Sequence, residues 1–144
     1  MHTLYHQYLA SLASVLNISL PPTPFNCLQV KFDNRACVMR SINDGNDIFV
    51  ECQLVVPENM DLMLRNRAAM QANYCFFQSR GATLALDNDN RLILQRQFNL
   101  EDIGTEQFLH RMETFLNTAT QLDEAFASFA SDNKIELTQF AMRV

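Results

Sequence analysis

Apolar residues recur every three or four positions over residues 2–17, where Leu4, Tyr5, Tyr8, Leu9, Leu12, Val15 and Leu16 form the broad stripe of an amphipathic helix. Pro21, Pro22 and Pro24 forbid its continuation and make a short, stiff connector. The period then falls to two. Leu28, Val30 and Phe32 alternate with Gln29 and Lys31, and Asp33-Asn34 supplies a turn. From Ala36 to Ile42, Val38 and Arg40 share one face while Cys37 and Met39 share the other. Asn43-Asp44-Gly45-Asn46 is a second turn signal. Ile48, Val50, Cys52, Leu54 and Val56 then line one face of a third strand, opposite Phe49, Glu51 and Gln53.

Pro57 ends that strand, and residues 58–78 read as a second helix closed by Gly81. A hairpin follows, with strands at 83–86 and 92–98 around Asp87-Asn88-Asp89-Asn90. Thr105 is the expected N-cap of a last helix over 105–131. Its stripe is the clearest in the chain: Phe108, Met112, Phe115, Ala119, Leu122, Phe126 and Phe129 repeat at alternating spacings of four and three. The order helix, three strands, helix, two strands, helix predicts an α+β fold, with an antiparallel sheet packed against helices. A chain of 144 residues fits one domain, expected over 1–132, followed by a tail at 133–144 whose structure the pattern does not predict.

The second helix carries more apolar residues than one face holds. Met60, Met63 and Met70 stand with Tyr74, Cys75, Phe76 and Phe77. A helix apolar on two sides is buried on two sides, in its own core or against another subunit. A symmetric dimer is the commonest solution. The first helix, with Tyr5 and Tyr8 beside its leucines, offers either core packing or one wall of a groove for a ligand chain, which an open sheet edge would extend.

Composition narrows the function by exclusion. Net charge is −5, and Lys31 and Lys134 are the only lysines, so the clustered cations that nucleic acid or an anionic membrane needs are missing. No apolar run reaches the roughly 20 residues that span a bilayer, and no secretory leader is evident. Cys27, Cys37, Cys52 and Cys75 lie in apolar stretches without metal-ligand spacing, which suits reduced thiols in the cytoplasm.

Candidate chemistry is sparse. His2 and His6 lie one helical turn apart, but at a helix end exposed to solvent; His110 reads as a surface residue. The Asp87–Asn90 run lacks the Gly and Glu that a calcium loop requires at its sixth and twelfth positions, which are Leu92 and Phe98. Glu51 has no evident partner carboxylate. Gly45, Gly81 and Gly104 are isolated, so no phosphate-cradling loop forms. The expectation is a protein with no catalytic residues, no metal and no cofactor.

The chain resembles the class I chaperones of type III secretion, the Tir chaperone family. The likeness covers about residues 3–131 and rests on size, acidity and element order. It rests also on the runs YLASLASVLNISL, CLQVKFD, IFVECQLVVPE, ATLALDNDNRLILQRQFNL and FLHRMETFLNTATQLDEAF, and on the terminal MRV. The resemblance implies a cytoplasmic bacterial homodimer without enzymatic activity. Such a protein binds a segment near the N-terminus of a secreted effector in extended form and keeps it soluble and secretion-competent. The secretion ATPase later strips the effector off. The alternative is a chaperone-like regulator that sequesters a regulatory protein of secretion-gene expression. Carried over by region, Met60, Met63, Met70, Tyr74 and Phe77 would form the dimer interface. Tyr5, Leu9, Leu12, Leu16, Leu28, Val30, Phe32, Phe49 and Leu94 would form the effector-binding patches.

Overall fold

A computed structural model describes residues 4–19, 26–74 and 81–131. The elements follow the expected order: α1 (Leu4–Leu16), β1 (Cys27–Phe32), β2 (Arg35–Ile42), a short 3-10 turn (Asn43–Gly45), β3 (Asp47–Gln53), α2 (Leu62–Tyr74), β4 (Thr83–Leu86), β5 (Leu92–Asn99) and α3 (Thr105–Ser131). The strands form one antiparallel five-stranded sheet in the order β1-β2-β3-β5-β4. Contacts divide the chain into two compact units. The first comprises residues 1–51 and 97–113, the second residues 52–96 and 114–144. The 133–144 tail lies outside the described residues.

In the first unit, α1 ends earlier than the prolines require. Asn17 takes the left-handed conformation (φ 56°), and the Ile18 N–H donates to the Ala13 carbonyl at 3.0 Å, which closes the helix in a Schellman turn. Asp33 and Asn34 both have positive φ (48° and 73°), as a two-residue hairpin turn between twisted strands demands. The hairpin pairs Leu28 with Met39, Val30 with Cys37 and Phe32 with Arg35. Buried Asp47 anchors the next turn, because its Oδ2 accepts hydrogen bonds from the Asn43 and Gln97 side-chain amides.

Two tyrosines fasten α1 within this unit. The Tyr8 hydroxyl donates toward the carbonyls of Leu100 (3.1 Å) and Ile103, and its ring tilts against Phe108 with centroids 5.4 Å apart. Phe108 in turn meets Phe98 edge-on. Tyr5 is fully buried and donates to the Met39 carbonyl at 3.1 Å. Burial, with a smaller contribution from Cys27, pushes its phenol up to about 12. The folded state holds that proton more tightly than the unfolded chain. The contribution to stability is therefore complete below pH 10 and lost as pH rises from 10 through about 12. The difference in alkaline absorbance titration between the native protein and Tyr5→Phe will isolate one phenol with a midpoint near 12. Because Tyr5→Phe leaves the Met39 carbonyl without this donor, it will lower stability at neutral pH by about 1–3 kcal/mol.

In the second unit, two element boundaries differ from the expected ones. The third strand ends at Gln53 rather than Val56: Leu54 still donates to the Leu92 carbonyl, but the Val55 N–H turns to Asp123 Oδ1 at 2.7 Å. The second helix begins at Leu62 rather than residue 58. Pro57–Met60 is a turn (Met60 N–H to Pro57 O, 3.1 Å), and Asp61 is the N-cap, with Oδ1 accepting the Leu64 N–H at 3.0 Å. The β4–β5 hairpin is closed by Asp87, whose Oδ1 accepts the N–H groups of Asp89 and Arg91. These bonds, that from Arg91 first, hold its carboxyl below the usual range.

α3 runs through both units and buries the whole expected stripe: Phe108, Met112, Phe115, Ala119, Leu122, Phe126 and Phe129. Its N-cap is Gly104, not Thr105, since the Gly104 carbonyl accepts the first helical bond, from Phe108 N–H at 2.9 Å.

Candidate binding surfaces

Two surfaces stand out, one in each unit. The first is the β1 edge. Asn26 O accepts the Ser41 N–H at 2.8 Å, and alternation along the ladder from that pair turns the backbone groups of Cys27, Gln29 and Lys31 away from β2. β1 is the terminal strand on this side of the sheet, so these groups form an edge that is unpaired among the described residues. The side chains of Cys27, Gln29 and Lys31 are exposed, and those of Leu28 and Phe32 are half-buried.

The opposite terminal strand, β4, is treated differently. Leu84 presents its outward N–H and C=O to a single side chain. Asn73 Oδ1 accepts the N–H at 2.7 Å, and Asn73 Nδ2 donates to the carbonyl at 2.9 Å. One amide thus imitates a neighbouring strand and holds α2 to β4. The sequence reading did not find this clamp, since a lone Asn on a helix carries no signal for it.

The second surface is the outer face of α2. Its buried positions are Arg65, Ala68, Ala69 and Ala72, so apart from Arg65 the inward side chains are small. Met63 and Met70 are each 72% exposed and Tyr74 82% exposed, with Leu62 and Leu64 also exposed. Seven of the nine large exposed hydrophobic residues among those described belong to this unit, five of them on α2. Over its described residues the helix turns alanines and Arg65 inward and its bulky apolar side chains outward.

The expected site residues divide accordingly. Met63, Met70 and Tyr74 lie together on the outer face of α2. Met60 does not join them, because it sits in the turn before the helix and is buried in its own unit. Phe77 lies outside the described residues. Of the expected effector-binding residues, Tyr5, Leu9, Leu12, Val30 and Leu94 are spent in the chain's own core. Leu16, Leu28, Phe32 and Phe49 keep accessible surface. Phe49 stands opposite Ile48 and Val50 on its strand and is therefore not on the core-facing side. Val15 and Ile18, 66% and 40% exposed, add apolar surface at the end of α1.

Little resembles a reaction centre. Glu51 pairs with Arg40 Nη1 at 2.5 Å on the neighbouring strand, which makes it half of a surface ion pair. His110 is exposed, and the half-buried His6 ring packs edge-on against Tyr5; His2 and Cys75 lie outside the described residues. Among the described residues, no three His, Cys, Asp or Glu side chains group as metal ligands, and no helix is long and apolar enough to cross a membrane.

The model of the Tir chaperone protein (CesT) family matches residues 7–123, most of the chain. The chain belongs to that family. No curated protein sequence matches it, so the family places it where single relatives do not. Solved structures agree on the fold. A chain of the HopA1–SchA chaperone–effector complex superposes with a TM-score of 0.65 at 14% identity, covering 84% of this chain and 94% of that one. One of the ExsC–ExsE complex gives 0.64 at 14% identity, covering 82% and 90%. A chain of the complex between the Yersinia pestis type III secretion chaperone SycH and a fragment of YscM2 gives 0.56 at 17% identity, covering 81% and 97%. This member of the family is thus a type III secretion effector chaperone with the family's α+β fold.

Proposed function

We propose that this chaperone is a cytoplasmic, non-enzymatic homodimer. It holds a segment near the N-terminus of a secreted effector in extended form, keeps it secretion-competent, and yields it to the secretion ATPase. The β1 edge carries this reading. It offers outward backbone groups at Cys27, Gln29 and Lys31, beside half-buried Leu28 and Phe32, whereas the equivalent groups of Leu84 on β4 are taken by Asn73. A disordered segment that orders as an added strand gains backbone hydrogen bonds there, and alternate apolar side chains supply the anchors. Leu16, Leu28, Phe32 and Phe49 are the proposed effector contacts, and Met63, Met70 and Tyr74 the proposed dimer contacts.

Gln29→Pro tests the edge. Proline at an outward-facing position of an edge strand leaves the β1–β2 ladder intact but removes one N–H from the bond set offered to cargo. The substituted protein will keep its thermal unfolding midpoint and bind a cognate effector segment at least tenfold more weakly by calorimetry. Hydrogen exchange provides the direct readout: the bound segment should protect the amides of Cys27, Gln29 and Lys31. Unchanged exchange at all three in a saturated complex would reject the β1 edge as the site.

A further inference from the structure

Two cations stand on the outer face of the β1–β2 hairpin. Residues paired across the ladder share a face, so Cys27, Gln29 and Lys31 lie with Arg40, Val38 and Ala36, away from the core residues Val30, Cys37 and Met39. Arg40 is already neutralised by Glu51. Lys31 is exposed, faces Ala36 across the ladder, and its ammonium makes no hydrogen bond or ion pair among the described residues. Lys31 also belongs to the outward-facing set of β1. A residue of an added strand would therefore sit directly across from it, with both side chains on one face. The other members of that set, Cys27 and Gln29, are uncharged, and on the opposite face Leu28 and Phe32 are half-buried on either side of Val30.

From this placement we infer that the segment added at the β1 edge carries an Asp or Glu directly across from Lys31. The inference rests on the edge reading above and names the side-chain chemistry that the edge selects. The selected pattern has a period of two, with apolar residues across from Leu28 and Val30, a polar one across from Gln29 and a carboxylate across from Lys31. In an antiparallel segment the carboxylate comes first in sequence, and in a parallel one last. A chain of net charge −5 repels an acidic segment in general, so an uncompensated cation on this edge steers such a segment here. A cargo Lys or Arg at that position would meet a like charge directly opposite, which destabilises the pairing. An edge lysine also guards a strand against unwanted pairing. A guard needs charge of either sign, whereas selection of a carboxylate needs a cation.

Charge reversal tests the inference, with the N-terminal segment of an effector that co-purifies with this chain as the probe. Hydrogen exchange of the complex identifies the protected strand of the segment. Calorimetry then compares the native chain with Lys31→Gln and Lys31→Glu, both of which will keep the native unfolding midpoint because Lys31 is exposed. The expected result at low salt is binding weakened about threefold to thirtyfold by Lys31→Glu, with Lys31→Gln between. The difference will close as salt is raised to about 1 M, where the screening length is about 3 Å. Replacing the carboxylate of the segment by Lys will restore its binding to Lys31→Glu. Equal binding by the native chain and Lys31→Glu, or a protected strand without Asp or Glu, would overturn the inference and leave Lys31 as a guard. If the Cys27, Gln29 and Lys31 amides are protected in that complex, the edge reading still stands. No protection at these three amides would overturn both.

Discussion

Met70→Glu will convert the proposed dimer into a monomer without unfolding the chain. Met70 is 72% exposed in the single chain, so the fold itself loses little; surface changes of this kind stay within about 0.5 kcal/mol. In a two-fold interface the substitution occurs twice. Each copy loses the burial of one methionine, about 1.5–3 kcal/mol, and the interface must also desolvate two carboxylates. Burial alone predicts dimer dissociation strengthened by about 3–6 kcal/mol, or roughly a hundredfold to ten-thousandfold. Light scattering over a dilution series reads the mass, and circular dichroism confirms that the helices remain. A dimer that survives Met70→Glu unchanged would mean that the outer face of α2 is not the interface.

Phe115→Ala should produce the largest loss of stability. Phe115 is 1% exposed, in the middle of the α3 stripe that is buried from Phe108 to Phe129. Emptying such a site removes both transfer free energy and packing, at a cost of about 3–5 kcal/mol. A domain of this size holds roughly 5–15 kcal/mol in total, so the unfolding midpoint should fall by about 10–15 °C at a fixed protein concentration. His110→Ala, on the exposed side of the same helix, should leave the midpoint unchanged. Equal effects from the two substitutions would contradict the assignment of the helix faces.

Some elements were legible in the sequence because one physical cause produced both pattern and structure. α3 spans the expected residues, since a single buried stripe fixes its phase over all its turns. The alternation in β3 located Ile48, Val50 and Cys52 in the core for the same reason. The boundary errors arose where a local hydrogen bond outranked periodicity. Asp61 starts α2 four residues late, and Asp123 draws Val55 off the ladder.

The binding surfaces were less legible. Hydrophobicity marks a residue as burying surface but does not say against what. Tyr5, Leu9, Leu12, Val30 and Leu94 bury theirs inside the chain, while Leu28 and Phe32 on the same strand as Val30 remain half-accessible. Apart from Arg65, the inward side of α2 is made of alanines, whose weak apolar signal hid the fact that Met63 and Met70 face out. Arg40–Glu51 and Asn73–Leu84 join residues 11 positions apart, and no local pattern announces such pairs.

Co-expression with the type III effectors of the same genome, followed by light scattering of the purified product, tests the central claim most directly. The account predicts a soluble complex of two chains, each 16.5 kDa, with one effector bound through its N-terminal segment, and a free chaperone of twice the chain mass. A chain that elutes alone beside every insoluble effector would contradict it.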